Sequence, residues 1–182
     1  QVIPSIGSVG ASGDLAPLAH MALAIVGSRY GVIELRERRM RADEALRELG
    51  MGPLELNYKE GLALVNGTSI STAILALTAY DSRVLVKTAD IALSMTLEAV
   101  GGFLAPFDHD YLSLRPFKGQ MCCASNVLKL TEGSELIEDP SLERVQDPYC
   151  IRCAPQVHGA AREAVEFACS QVEIELNSAD DN

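Results

Sequence analysis

The sequence predicts a mainly α protein of long helices packed as a bundle, with at most a short β element near residues 32–40. Three observations carry this. From Thr68 to Val100 apolar residues recur at helical spacing on more than one face, and a helix that is apolar nearly all round belongs at the centre of a bundle. A second long helical run opens at Pro155 and reaches about Leu176. Strand-like sequence is confined to Val32–Leu35. The chain has 182 residues, 48% of them hydrophobic and 22% charged. That excludes a disordered tail and leaves enough apolar surface for a sizeable core.

The elements follow in order. Residues 1–13 hold Pro4, Gly7, Gly10 and Gly13, a loop with several flexible points. Asp14 reads as an N-cap, and Pro17 sits in the first turn, where its missing N–H costs nothing. Leu15, Leu18, Ala19, Ala22, Leu23 and Val26 then follow at helical spacing. Arg41–Leu49 is a short helix stopped by Gly50. Gly52–Gly61 is irregular, with Pro53 and Gly61 as punctuation. The run from Thr68 to Val100 is helical, Asp81–Ser82 marking a bend between two helices, and Gly101-Gly102 ends it. A loop carries Pro106, Asp108, His109, Asp110 and Pro116; a helix covers Gly119–Leu130; a second loop runs from Thr131 to about Cys153.

Charge and composition exclude several functions. The net charge is −10 and the pI about 4.7, against a nucleic-acid surface or docking on anionic membranes. No Trp is present and aromatics are 5%, which leaves no base-stacking platform. Asp81, Arg83, Lys87 and Asp90 cut the longest apolar stretches, so no bilayer-spanning window is expected. The first residue is Gln1, no secretory signal is visible, and the chain stops in a polar run, so 1–182 is expected to be an internal segment. The five cysteines (122, 123, 150, 153 and 169) are odd in number and fit reduced, packed thiols in a cytoplasm. Cys150-Ile151-Arg152-Cys153 matches C-x-x-C but lacks the second ligand pair of a zinc site and the βαβ setting of a redox motif, so no metal is expected.

The chemistry gathers first at Gly7-Ser8-Val9-Gly10-Ala11-Ser12-Gly13-Asp14-Leu15. A glycine-rich loop running into a helix is the generic form of an anion site, but neither a P-loop nor a Rossmann spacing is present. On composition alone a flexible turn capped by Asp14 accounts for it. A sharper possibility is chemical. In Ala11-Ser12-Gly13 a strained turn can push the unencumbered glycine nitrogen onto the Ala11 carbonyl carbon. Loss of two waters, one from the Ser12 side chain, then yields a methylidene-imidazolone. Side chains supply nucleophiles, acids and bases but no strong electrophile, so such a group does cofactor work.

The run from Gly7 to Met21 resembles the signature of the aromatic amino acid lyases, the family of histidine, phenylalanine and tyrosine ammonia-lyases and related aminomutases. Three further blocks resemble the family in its own order: Lys59–Thr68, Gln146–Cys153 and Glu175–Asn182. The resemblance implies a helical bundle of the fumarase/aspartase-like type, with 1–182 the central part of a larger lyase domain. It implies that Ala11, Ser12 and Gly13 form 4-methylidene-imidazol-5-one autocatalytically, with Asp14 beside the ring assisting closure. Asn66 would bond the prosthetic group or the substrate amine, Gln146 and Tyr149 would line the site, and Tyr149 would exchange a proton. Arg152 would hold the substrate carboxylate as a bidentate pair. Simpler accounts are a turn residue for Asn66, a packed aromatic for Tyr149 and a surface ion pair for Arg152. His20 reads as a core or supporting histidine, and His109 and His158 have no sequence partner that argues for catalysis. Two departures stand out: Cys150 where the family often has Ser, and Phe117-Lys118-Gly119-Gln120 where many members have His-Pro-Gly-Gln.

The activity implied is elimination of ammonia from an aromatic L-amino acid, L-histidine to urocanate first because Ala16–Met21 looks closer to the histidine enzymes than to plant phenylalanine enzymes. A tyrosine or phenylalanine lyase or an aminomutase is the alternative within the class. A non-catalytic core fragment that never matures the electrophile is the alternative outside it. The family's base, a tyrosine on an upstream loop, precedes Gln1, so the segment alone is expected to be a poor catalyst. The apolar Thr68–Val100 run is expected to self-associate, as homotetrameric family members do.

Overall fold

A computed structural model of the chain describes residues 1–137 and 143–179. It is 59% helical, and its strands form one two-stranded hairpin among the described residues, so the expected class holds. The chain divides into two units, 1–75 with 174–179 and 76–173.

In the first unit α1 (Leu15–Ile25) packs on α2 (Ala42–Glu48), on α3 (Glu60–Val65) and on the hairpin. β1 (Val32–Leu35) pairs antiparallel with β2 (Arg38–Arg41), Val32 opposite Arg41 and Leu35 opposite Arg38. The two turn residues Arg36 and Glu37 take φ 49° and 66°. That is the primed geometry of a tight hairpin without its usual Asn-Gly, which is why only β1 announces itself in the sequence. Leu18, Ala24, Ala42, Ala45 and Leu46 form the buried centre. Gly50 stops α2 at φ 67° as expected. Gly61 is the second residue of α3, so the irregular stretch ends at Lys59.

The second unit begins within α4 (Ser69–Ala99), a single 31-residue helix. The bend expected at Asp81–Ser82 is absent. The Ser82 hydroxyl donates back to the Thr78 carbonyl at 2.8 Å, which a helix accommodates without breaking. A 3-10 turn (Ala105–Phe107) and α5 (His109–Ser113) occupy the loop after Gly101-Gly102. α6 (Lys118–Leu130), α7 (Tyr149–Arg152) and α8 (Ala154–Leu176) follow. Leu97, Phe107, Leu112, Cys123, Ala124, Val127 and Ile151 make the core. A Cβ on Gly119 would stand 2.2 Å from the Gly159 carbonyl oxygen, so these glycines let α6 and α8 meet backbone to backbone. Residues 138–142 of the second expected loop, and Asp180–Asn182 of the last family block, lie outside the described residues.

Two expectations about α4 need correction. Its apolar faces are not enclosed within this chain: Ile74, Leu77, Leu85 and Met95 are 60–69% exposed. Its buried residues are Asp90, Ser94 and Leu97. The Glu60–Ala99 stretch is also long and apolar enough to cross a membrane by length and composition. The four charges expected to prevent this all fall after the charge-free run 61–80. That run passes through Asn66–Thr68, where the backbone leaves the helix, and irregular backbone is not placed against lipid.

Candidate active site

The first unit gathers Ala11, Ser12, Gly13, Asp14 and Asn66. Asp14 occupies the N-cap position of α1 and its carbonyl accepts from the Leu18 N–H at 3.0 Å, but its carboxylate does not cap that helix. The carboxylate instead accepts from the Ser71 N–H at 2.8 Å, the Ser71 hydroxyl at 2.7 Å and the Ser8 hydroxyl at 2.8 Å. It thus caps the first turn of α4, where the helix dipole favours an anion. Asp14 is 1% exposed. Burial works against its ionisation, yet the Ser71 and Ser8 donors outweigh it and hold the carboxyl below the usual carboxylate range.

Asp14 also fixes the loop before it. Its N–H donates to the Gly67 carbonyl at 2.7 Å, and the Asn66 side-chain amide donates to the Ser12 carbonyl. Ser12 is at φ 59°, a left-handed conformation that costs a non-glycine residue energy. Gly13 is at φ 92°, and a Cβ there would stand 2.5 Å from the Gly67 nitrogen and oxygen. No other residue fits. The Ala11-Ser12-Gly13 turn is therefore strained, clamped on both sides and exposed at Ala11 and Ser12, which fits the requirement for bringing the Gly13 nitrogen onto the Ala11 carbonyl carbon. Ser8, Gly67 and Ser71 were not singled out from sequence for this clamp. Ser8 and Gly67 lie inside the quoted blocks, while Ser71 carries no local signal beyond its place in the first turn of a helix.

Gln146, Tyr149 and Arg152 lie in the second unit. Asp147, between them in sequence, is 3% exposed. Its carboxylate pairs with Arg144 at 2.9 Å and accepts the Phe103 N–H at 2.7 Å. The Asp147 carbonyl accepts from Arg152 Nε at 2.9 Å. This ties the guanidinium to the backbone through its Nε. Arg152 also lies 5.8 Å from the centroid of the Tyr149 ring. Tyr149 and Gln146 are exposed, so neither is a packed core residue. Asp147 is a supporting residue that sequence reasoning passed over, although it stands inside the Gln146–Cys153 block.

His158 has a partner after all. Its Nδ1 lies 2.9 Å from Asp90 Oδ1, and Asp90 also accepts from Arg162 at 2.5 Å and Asn126 at 2.7 Å. Asp90, Cys123 and His158 stand close enough to hold a metal ion. Burial and the neighbouring Asp90 carboxylate push the Cys123 thiol far above its ordinary range, and Arg162 already neutralises Asp90. The group is a hydrogen-bonded polar network in the second unit, in which Arg162 Nε is buried without a partner among the described residues.

The whole chain, residues 1–182, matches the aromatic amino acid lyase family. The chain belongs to that family. A histidine ammonia-lyase of Alkaliphilus metalliredigens is 48% identical over 181 residues, all of this chain and 35% of the relative. Among solved structures, histidine ammonia-lyase from Trypanosoma cruzi superposes with a TM-score of 0.83 at 37% identity, over 99% of this chain and 32% of that one. A tyrosine aminomutase from Streptomyces globisporus superposes with a TM-score of 0.86 at 36% identity, over 99% of this chain and 37% of that one. This aromatic amino acid lyase chain thus spans about a third of the length of the relatives it matches.

Proposed function

We propose that the full-length protein is an ammonia-lyase that converts L-histidine to urocanate and ammonia, and that Ala11-Ser12-Gly13 matures into a methylidene-imidazolone. One observation carries this: the Ala11-Ser12-Gly13 turn, with Ser12 at φ 59° and Gly13 lodged against the Gly67 backbone. The 48% identity to a histidine ammonia-lyase supports histidine as the substrate. Once formed, the group supplies the carbon electrophile that side chains lack.

The chain's own residues do the rest. Asn66 holds the Ser12 carbonyl and orients the loop. Asp14 ties that loop to the start of α4 and stays ionised while doing so. Arg152 takes the substrate carboxylate in a bidentate pair, its Nε tied to the Asp147 carbonyl. Gln146 and Tyr149 line the site, and the Tyr149 phenol exchanges a proton with substrate. The exposed apolar residues of α4 pack against other copies in a homotetramer. Residues 1–182 are the central part of the lyase domain, and this piece alone turns over poorly because the base lies elsewhere in the full chain; a positioned base contributes about 10²–10⁴-fold.

The test uses the full-length chain and its Ser12→Ala variant. The expected wild-type mass is lower by two waters, with ultraviolet growth of urocanate from L-histidine. Ser12→Ala should keep the full mass and lose turnover. Undiminished turnover by Ser12→Ala overturns the proposal. A β-amino acid product from L-tyrosine would favour an aminomutase, the activity of the 36% identical structure.

A further inference from the structure

The two cysteines of the Cys150-Ile151-Arg152-Cys153 run take no part in the chemistry above. As packing residues, its cysteines should be buried, as Cys123 and Cys169 are at 0% and 8% exposure. Cys150 is exposed and Cys153 is half-buried, and both are free thiols. Cys150 lies within α7, and Cys153 closes that helix at φ −89° and ψ 1°, its N–H donating to the Tyr149 carbonyl at 2.9 Å. Positions 150 and 153 stand three apart and so fall on one face of a single helical turn, a spacing that sets Cβ atoms about 5–6 Å apart. A disulfide needs about 3.5–4.5 Å. Closing the gap requires a twist of α7, which is four residues long and buries only Ile151. A bond made at that cost is strained, and strained, exposed disulfides are the easily reduced, regulatory kind. Arg152 lies inside the closed loop, its Nε on the Asp147 carbonyl.

We propose that Cys150 and Cys153 form a reversible disulfide under peroxide, and that closing it pulls Arg152 off the Asp147 carbonyl and weakens binding of the substrate carboxylate. The consequence for substrate rests on the function proposed above; the pairing does not. The step balances as follows. The Cys150 sulfur attacks hydrogen peroxide, taking one oxygen as a sulfenic acid and releasing water. The Cys153 thiol then attacks that sulfur, the S–S bond forms, and a second water leaves. Two thiols are oxidised, one peroxide is reduced, and a dithiol reverses the change.

The experiment compares full-length wild type, Cys150→Ser and Cys122→Ser after dithiothreitol, then after hydrogen peroxide. In wild type we expect the peptide holding Cys150 and Cys153 to lose two hydrogens, about 2 Da, with both thiols blocked to alkylation. KM for L-histidine should rise about tenfold at little-changed kcat, the scale of one charge-assisted contact, and dithiothreitol should restore it. Cys150→Ser should match reduced wild type and ignore peroxide, whereas Cys122→Ser, which alters the other exposed thiol, should respond like wild type. Calorimetric binding of L-histidine to the Ser12→Ala chain, before and after oxidation, reads the Arg152 effect without turnover. Absence of the Cys150–Cys153 bond overturns the proposal, as does a bond that leaves KM and histidine affinity unchanged. Failure of the proposed function shows separately, as no urocanate from the reduced wild type.

Discussion

Replacing Asp14 with Ala tests the clamp on which the site rests. The carboxylate is 1% exposed and accepts two hydrogen bonds from Ser71, at 2.8 and 2.7 Å, and one from Ser8 at 2.8 Å. Bonds to charged groups contribute about 1.5–3 kcal/mol each. Ser8 and Ser71 are both exposed, so water replaces part of what truncation removes. The expected loss is therefore at the low end for the two Ser71 bonds, about 3 kcal/mol. That is a large share of a stability of about 5–15 kcal/mol. Urea unfolding of the full-length chain reads it as a lowered midpoint at constant slope. The pH dependence has a definite sign. Asp14 has its carboxyl lowered in the fold, against about 3.9 when unfolded, so its contribution is present in full above that unfolded value. It is lost as pH falls through the lower folded value. Wild type should therefore lose its advantage over Asp14→Ala in acid and keep it at neutral pH. A difference below about 0.5 kcal/mol at pH 7, the scale of an ordinary surface change, would refute the reasoning.

Two further outcomes are expected. Gly119→Ala places a Cβ 2.2 Å from the Gly159 oxygen, so α6 and α8 must part, at a cost of about 3 kcal/mol, read as a lowered thermal midpoint. Arg152→Lys keeps the charge but loses the Nε bond to the Asp147 carbonyl and the fork that grips a carboxylate, so KM for L-histidine should rise about tenfold with kcat less affected; a fall confined to kcat would contradict the role.

Much of the secondary structure was legible in the sequence because its signals are local. The helical period of Leu15–Val26, the stop at Gly50 and Pro155 in the first turn of α8 each act within a turn or two of chain, so neighbouring residues decide them. β2 and the continuity of α4 across Asp81–Ser82 were harder. A positive-φ turn at Arg36-Glu37 and a serine that bonds back into its helix leave no residue-type signal. The four family blocks likewise marked the residues of the candidate site without showing what holds them.

The sequence by itself determined the helical class, the glycine-rich loop that holds Ala11-Ser12-Gly13 and the family, since periodicity, glycine and motif order are properties of the chain as written. Only the tertiary structure decided the partners. Asp14 caps α4 rather than its own helix, Gly13 lies against Gly67, Asp90 gathers His158, Arg162 and Asn126, and Cys150 faces solvent while Cys123 is sealed. The physical reason is separation along the chain. Ser71 stands 57 residues from Asp14, and His158 stands 68 from Asp90. Burial and hydrogen-bond partners at such distances are set by how distant segments pack, which no local rule of spacing or propensity encodes.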